Sequence, residues 1–280
     1  EQYRFKKMLS LTYASKKNPM QAFPYNKLHC TSWNVNQASA MILCSEELAD
    51  ELNIPLNKRL YPLVSSETNH MVATIQRPNL VEPIGLKLAA QYILDTCKHN
   101  NFYPNTYDLY SFFPIAVQMF AEVLELEIDQ PLTVTGGMSF AGGPLNNYMI
   151  HSTVKMLSEI RKDAEKIGLV TGVSGMMTKQ AFCVWANTPL TDFTSKDVTD
   201  QAAQIEKPIP LSRLENGNGV IIGYTILSKN KDVAEKAVLY IEDINRERKV
   251  LISYDQDIIK SMGEEEWVGK SINFKGKYLV

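Results

Sequence analysis

Residues 132–152 read LTVTGGMSFAGGPLNNYMIHS, a β-branched run, two pairs of glycines and a run with helical spacing. This order predicts a strand that ends at Thr135, a glycine-lined loop and a helix over residues 147–161. Glycine reaches positive φ and carries no Cβ, so such a loop lets backbone amides approach a ligand closely. The alternative interpretation is an ordinary connection between a strand and a helix, because a short glycine motif alone is weak evidence for a site.

Strands and helices alternate on both sides of this loop. A buried strand is predicted over residues 39–44, and Ser45 is predicted to cap a helix that runs through Asn53. This alternation predicts an α/β fold in which helices cover both faces of a mixed sheet. The remaining predicted elements of this part are strands over residues 59–66, 107–110, 168–173 and 181–186 and helices over residues 1–17, 83–99 and 114–126.

The pattern changes near residue 200. Residues 192–201, DFTSKDVTDQ, are polar and are predicted to form a linker. Beyond them, runs of β-branched and apolar residues separated by turn signals predict a small all-β module over residues 200–280, a partly open, OB-like barrel. Its predicted strands cover residues 219–228, 236–244, 249–254 and 271–280, with a turn at residues 216–219, NGNG.

Composition narrows the class of partner. The chain has 280 residues, enough for two domains, and a formal net charge of −2 with Lys and Arg spread along it. This balance predicts neither a nucleic-acid nor a membrane partner, and no apolar run approaches the roughly 20 residues that span a bilayer. The 4 cysteines are widely spaced and form no CxxC pair, which predicts a reduced, cytoplasmic protein without a metal site.

Three strand ends carry candidate site residues. Residues 108–114, DLYSFFP, lie at a strand-to-helix junction, where open α/β sheets place ligands, and residues 172–175, GVSG, supply a second amide-rich turn. If these converge with the glycine loop, backbone donors and Asn amides would suit a carbonyl or thioester oxygen. A lone helical histidine such as His151 is more often a packing or surface residue than a catalytic base, and Ser111 has no base adjacent in the sequence. Cys183 lies within an apolar run and is predicted to be an inert thiol.

Four motifs resemble those of thiolases and follow one another in the same order along the chain. Residues 34–49 (NVNQASAMILCSEELA) are similar to the segment in which a strand enters a helix starting SEE, and DLYSFFP is similar to the strand with the NEAF or HDCF motif. Residues 132–152 resemble the loop with the GHP motif, and residues 168–182 (GLVTGVSGMMTKQAF) resemble the last glycine-rich loop. The sequence GGPLNNY (residues 142–148) resembles that of the thiolase-like acetyl-CoA acetyltransferases, which carry an extra C-terminal β domain.

The resemblance implies an organisation and a site. It implies that residues 1–58 end an N-terminal half, that residues 59–192 form the C-terminal thiolase-like domain, and that residues 200–280 are the extra β domain. The missing N-terminal half would supply the nucleophilic cysteine, consistent with a chain that does not begin with Met. The implied substrate is an acyl-CoA thioester with no further cofactor, and the full-length protein would be a homodimer. The candidate catalytic residues are Tyr110, Ser111, Asn147 and His151, and the candidate substrate-binding residues are Gly136, Gly137, Gly142, Gly143, Pro144, Asn146, Ser174 and Gly175.

The chain departs from the thiolase pattern at its proton carriers. Gly143 stands where the GHP motif has histidine, and Tyr110 and Phe112 stand where HDCF has histidine and cysteine. Gly172 and Ser174 lie near the position of the last-loop cysteine, which is absent. Because glycine and phenylalanine transfer no protons, standard condensation or thiolysis is not expected. The hypotheses are an acyl-CoA acyltransferase with its nucleophile elsewhere, a thiolase-fold protein that binds acyl-CoA or acts as a scaffold, and a structural subunit without a ligand.

Overall fold

The computed structural model describes residues 11–230 and 233–280. In chain order its strands are β1 (Met20–Ala22), β2 (Tyr25–Asn26), β3 (Tyr61–Thr68), β4 (Thr106–Asp108), β5 (Gly168–Ser174), β6 (Met176–Ala186), β7 (Thr194–Asp197), β8 (Asn216–Asn230), β9 (Val233–Asp243), β10 (Arg248–Ser253), β11 (Ser271–Lys275) and β12 (Tyr278–Leu279). Its α-helices are α1 (Glu46–Glu51), α2 (Ile84–His99), α3 (Pro114–Val123), α4 (Tyr148–Lys162), α5 (Thr199–Ile205) and α6 (Gln256–Glu264).

A mixed five-stranded sheet forms the centre of the first compact unit, which comprises Thr31–Met71 and Val81–Glu206. Its strand order is β4-β5-β6-β3-β7; the β4–β5 and β3–β7 pairs are parallel and the two central pairs are antiparallel. The predicted mixed α/β fold is confirmed.

Helix α2 covers one face of this sheet. Its apolar residues recur at helical spacing, and Leu86, Ala89, Ile93 and Cys97 are all buried against β3 and β6. The ring of Phe182 in β6 belongs to the same core cluster. Burial of each large side chain contributes about 1.5 to 3 kcal/mol, so this layer is the main stabilising element of the unit.

Helix α4 lies on the opposite face but covers only part of it. Met156, Leu157 and Ile160 pack against β5 and Trp185, whose side chain points to the other side of β6 from Phe182. Helices therefore lie on both faces, as predicted. On the α4 side, however, Ala181 in β6 is exposed and Ser65 in β3 is only half-buried.

The second compact unit contains a closed barrel. It comprises residues 11–30, Val72–Leu80 and the described part of Lys207–Val280. Strands β8, β9, β10, β12 and β11 pair in that order, and β11 pairs again with β8, so the ring closes. Leu239, Ile241 and Leu251 fill its interior. The barrel is therefore closed rather than partly open, and helix α6 packs on it where no helix was predicted.

Two strands predicted in the first unit are wrong. Residues 39–44 and 132–135 are irregular, although both have β-branched or apolar composition. A strand requires a neighbour to accept and donate its backbone hydrogen bonds, and the described chain places none beside residues 39–44. Residues 133–135 instead donate to a buried side chain described below. Ser45 does cap α1, by accepting from the amide of Leu48 at 3.2 Å.

Other local predictions also fail for identifiable reasons. The predicted linker contains β7 and α5, because this segment pairs with β3 and buries Val198 and Ala202. The predicted NGNG turn lies within β8, where Gly219 leaves no room for a Cβ beside the carbonyl of Glu242. For the predicted helix over residues 1–17, residues 1–10 lie outside the described residues, and residues 13–17 form a bend and a turn.

The compact units divide the chain differently from the predicted domains. Residues 31–58 belong to the sheet unit, whereas residues 11–30 belong to the barrel unit together with Val72–Leu80. Each unit is therefore built from more than one stretch of the chain, whereas the predicted domains are consecutive ranges. Within the described part of the chain, none of the helices combines the length and apolar character needed to cross a membrane.

Candidate active site

The carboxylate of Asp108 organises the start of the glycine loop. Strand β4 ends at this residue, and its side chain is 0% exposed. Oδ1 accepts hydrogen bonds from the amides of Val134 and Thr135 at 3.0 and 3.2 Å. It also accepts from the hydroxyls of Thr133 at 2.6 Å and Thr135 at 3.0 Å. The start of the loop is therefore fixed by the buried side chain of Asp108 and not by strand pairing.

The second oxygen of the same carboxylate holds the end of the loop. Oδ2 of Asp108 accepts from Tyr148 Oη at 3.1 Å and from Ser152 Oγ at 2.5 Å, both on α4. Tyr148 Oη also lies 2.9 Å from Thr135 Oγ1. Burial, and secondarily the Asp108 charge, raise the pKa of Tyr148, so its hydroxyl stays protonated and remains a donor. Asp108 thus connects both ends of the loop.

The first pair of glycines adopts the predicted conformation, but its amides bind within the protein. Gly136 and Gly137 have φ of 91° and 81°. Both amides donate to Thr133 Oγ1, at 3.0 and 3.1 Å, and the Met138 amide donates to Ser111 Oγ at 2.9 Å. Their role in substrate binding stays a prediction, and it requires these donors to exchange partners.

The second pair of glycines provides space for another part of the chain. A Cβ on Gly142 would lie 2.4 Å from Val35, and one on Gly143 would lie 2.6 Å from Thr31. The Gly143 amide donates to the Ser32 carbonyl at 3.0 Å. Glycine is therefore required at both positions so that residues 31–37 can pack on the loop.

The asparagines that follow the loop support the same packing. Asn147 Nδ2 donates to Gln37 Oε1 at 2.8 Å, and Gln37 Nε2 donates to the carbonyls of Ala141 and Gly142. Asn146 is exposed and has φ of 61°, and Pro144 is half-buried beside it. Asn147 is therefore engaged in holding the loop, and a catalytic role for it stays a prediction.

Aromatic rings border the site at Tyr110 and Phe112, the positions where the resemblance implies proton carriers. The Tyr110 ring meets the Tyr148 ring edge-on at 5.5 Å and lies 5.8 Å from the Phe112 ring. Burial raises the pKa of Tyr110. His151 stacks on Tyr148 at 6.3 Å, and its imidazole has no hydrogen-bond partner among the described residues. His151 is therefore the candidate base whose side chain has no hydrogen bond among the described residues. Ser111 Oγ, by contrast, already accepts from the Met138 amide.

The turn at residues 172–175 follows a strand that contacts the DLYSFFP segment. The amide of Tyr110 donates to Thr171 Oγ1 at 2.8 Å, which brings β5 beside the DLYSFFP segment. Gly172 packs against Met149, and a Cβ on Gly172 would lie 2.9 Å from the Met149 side chain. Ser174 and Gly175 are exposed at the tip of the β5–β6 hairpin, and their contact with a substrate stays a prediction.

Sequence reasoning missed the residue at the centre of the site. Asp108 was visible only as part of the DLYSFFP junction, and its partners lie 25 to 44 residues away. A carboxylate at a strand end before a run rich in Thr and Ser was the available signal. Burial raises the pKa of the half-buried Cys183 thiol to about 12, consistent with the predicted inert character. Among the described residues, no three His, Cys, Asp or Glu side chains are grouped to hold a metal ion.

Comparisons with known proteins add one strong structural match. No protein-family model and no curated protein matches the chain. The crystal structure of a monomeric SCP2-thiolase like protein type 1 from Mycobacterium smegmatis superposes with a TM-score of 0.86 at 22% identity, over 98% of this chain. The fold is thiolase-like. This match covers 62% of the solved chain, so the thiolase-like fold described here spans less than two thirds of that protein.

A second comparison is weaker. The structure of an acetyl-CoA acetyltransferase from Syntrophomonas wolfei matches with a TM-score of 0.43 at 13% identity, over 66% of this chain and 45% of that one. The thiolase-like assignment therefore rests on the first match.

Proposed function

We propose that this chain is the C-terminal part of a thiolase-fold protein that binds an acyl-CoA thioester without performing standard thiolase chemistry. The observation that carries this proposal is that the polar groups of the candidate site already have partners within the chain. Aromatic rings replace the proton carriers, and the amides of Gly136, Gly137 and Met138 already donate to Thr133 and Ser111. His151 is then the remaining candidate for acid–base chemistry, so we propose binding of the thioester, with the loop amides exchanging partners, and not its standard cleavage.

Calorimetry and an activity assay on the longest product of the gene test this proposal. Acetyl-CoA is expected to bind and to slow hydrogen exchange in residues 132–152, while thiolysis of acetoacetyl-CoA stays at the background rate. Turnover well above background would contradict the loss of catalysis. Absence of any acetyl-CoA binding would contradict the binding function and favour a structural subunit.

An acyltransferase is the second candidate, and His151 favours it. Its imidazole is half-buried beside Tyr148 and has no described hydrogen-bond partner, which suits a base that acts on a group from outside this chain. In this case the nucleophile belongs to the N-terminal half. Acyl transfer should then be abolished by His151→Ala and unchanged by His99→Ala, a matched variant at the exposed end of α2. Equal activity of both variants would remove His151 from the mechanism.

The barrel and the assembly complete the proposal. We assign the closed β8–β12 barrel to the OB-like class and propose that it recruits partners of the thiolase-like domain.

The free cysteines, of which Cys97 is buried and Cys44 exposed, suit a cytoplasmic protein. A homodimer of the full-length protein is expected from the thiolase resemblance. Light scattering of the full-length protein measures its oligomeric state, and a monomer would contradict the dimer.

A further inference from the structure

The outer surface of the barrel carries an apolar stripe that crosses three strands. Leu239 in β9 and Leu251 in β10 are fully buried in the barrel interior, so the residues that alternate with them point outward. The register aligns these outward residues in two rows with two residues of β8, namely Gly223 with Tyr240 and Val250, and Thr225 with Val238 and Ile252. We call these six residues the outer stripe.

Part of the outer stripe forms the floor of a cavity of about 280 Å³. The floor consists of Gly223, Thr225, Val238 and Tyr240, and the wall consists of Thr74 and Leu80. The segment Val72–Leu80 that supplies this wall is tied to the rest of the barrel unit. The amide of Ile209 donates to the Gln76 carbonyl at 2.8 Å, and Gln76 Nε2 donates to the Ile209 carbonyl at 3.3 Å. The cavity therefore has a strand floor and a wall held by hydrogen bonds.

Gly223 creates the space of this cavity. Its φ lies outside the left-handed region, and a Cβ there would meet only Leu80 Cδ1, at 3.5 Å, which is an ordinary contact. Neither backbone conformation nor crowding thus requires glycine at this position. A glycine inside a strand weakens the strand, and it often marks a place where a ligand approaches closely. Gly223 is therefore the first indication of a ligand on the outer stripe.

The lining of the cavity favours an apolar group. Leu80 and Val238 present hydrocarbon, and the hydroxyl of Thr225 already donates to the Phe23 carbonyl at 2.8 Å. An apolar cavity of about 150 Å³ is large enough to bind benzene. The larger cavity over Gly223 therefore accommodates an alkyl chain of roughly six to eight carbons.

The charges at the two ends of the outer stripe differ. Lys236 is the outward residue that precedes Val238 on β9, about 7 Å away along the strand, and it makes no ion pair with any described residue. At the other end, Arg248 Nη2 lies 3.3 Å from Glu242 Oε2, so that pair is balanced. An anionic group is therefore favoured at the Lys236 end, where one ammonium balances the single charge of a carboxylate.

We infer that the outer stripe binds a medium-chain carboxylic acid. Its alkyl chain fills the cavity over Gly223, and its carboxylate meets the ammonium of Lys236. All the residues involved belong to the barrel unit. The inference therefore goes beyond the acyl-CoA function proposed for the glycine loop and does not depend on it.

Titration of the full chain with butanoate, hexanoate and octanoate, followed by calorimetry and NMR, tests the inference. Each added methylene should tighten binding about three- to fourfold, because it leaves water for the apolar cavity. The amide resonances of Val238 and Tyr240 should shift on binding. Octylamine should bind at least about 10-fold more weakly than octanoate, since Lys236 repels its charge. Absence of octanoate binding, or equal affinities for octanoate and octylamine, would overturn the inference.

Two variants separate the contribution of the cavity from that of the charge. Gly223→Val should abolish octanoate binding without lowering the melting temperature, because valine fills the cavity and suits a strand. Lys236→Gln should weaken octanoate binding at least about fivefold and leave 1-octanol binding unchanged. Lys275→Gln, at an exposed lysine of β11, is the matched control and should change neither.

Undiminished octanoate binding by Gly223→Val or by Lys236→Gln would overturn the inference. Acetyl-CoA binding is measured in parallel and should be the same in both variants as in the unmodified chain. Its absence while octanoate still binds contradicts only the proposed function.

Discussion

The Asp108 cluster belongs to the same compact unit as residues 39–44 and the neighbouring Trp185, which we call the open face. The two regions differ in how their groups are satisfied. Every described hydroxyl and amide around Asp108 has a partner inside the chain, and the carboxylate is fully buried. On the open face, apolar side chains are exposed and the indole of Trp185 lacks an acceptor. The comparison teaches that the loop geometry is fixed by hydrogen bonds within the described chain, whereas residues 39–44 make no such backbone bonds there.

The largest effect is expected at the Asp108 cluster. Asp108→Ala should lower the free energy of unfolding by about 3 to 5 kcal/mol, because buried amides of Val134 and Thr135 would lose their acceptor. Asp108→Asn should cost about 1 to 2 kcal/mol, since its carbonyl can still accept from those amides while Tyr148 and Ser152 rotate to accept from its amide group. Urea unfolding of the 280-residue chain measures both. Equal losses would contradict the acceptor role.

Substitutions of two isoleucines compare the stability contributed by the core with that contributed by the open face. Ile93→Ala should destabilise the 280-residue chain by about 3 kcal/mol, because Ile93 is 0% exposed on the face of α2 that packs against the sheet. Ile42→Ala should change its stability by no more than about 0.5 kcal/mol, since that side chain already lies in solvent. The same urea titration compares them, and a large loss for Ile42→Ala would show that residues 39–44 pack within this chain.

The thiols offer a chemical comparison of the same regions. Cys44 is exposed beside the open face, whereas burial raises the pKa of both Cys97 and Cys183 to about 12. At pH 8 a thiol reagent should therefore modify Cys44 at least about 100-fold faster than either of the others. Peptide mapping after timed labelling identifies the sites, with Cys44→Ser as the control. Rapid labelling of Cys183 would contradict its inert assignment.

The smallest effect concerns a surface charge cluster on α4. Hydrogen bonds from Lys155 and Lys162 lower the pKa of Glu159 to about 2. A depressed carboxyl pKa stabilises the fold above its unfolded value of about 4.3, and this stabilisation is lost as pH falls toward 2. Glu159→Gln should thus cost at most about 0.5 kcal/mol at pH 7 and nothing near pH 2, as thermal unfolding at both pH values can measure. An unchanged difference at both would contradict the pairing.

The sequence allowed prediction of the elements whose apolar spacing matches their burial. Helix α2 and strands β3 and β5 lie within two residues of their predicted bounds, because one face of each is buried by contacts of this chain. Helix α6 was missed although Asp255 caps it and Ile259 and Met262 have helical spacing. The strand-rich surroundings favoured the wrong interpretation there.

The parts that could not be predicted depend on contacts between distant residues. Residues 39–44 have strand composition, but strand formation needs a partner that the described chain does not place beside them. Similarly, nothing local to Asp108 reveals that Thr133 and Ser152 will converge on it from 25 and 44 residues away. The glycine motif was recognised, but its amides bind hydroxyls that only the fold brings near.

Hydrogen exchange across the 280-residue chain alone tests this contrast most directly. The amides of Val134 and Thr135, held by the Asp108 carboxylate, are expected to exchange only on global unfolding, while those of Ile42 and Leu43 exchange at nearly free rates. Comparable protection of the two segments, or free exchange at Val134 and Thr135, would contradict the account of a self-contained site beside an exposed, unpaired segment.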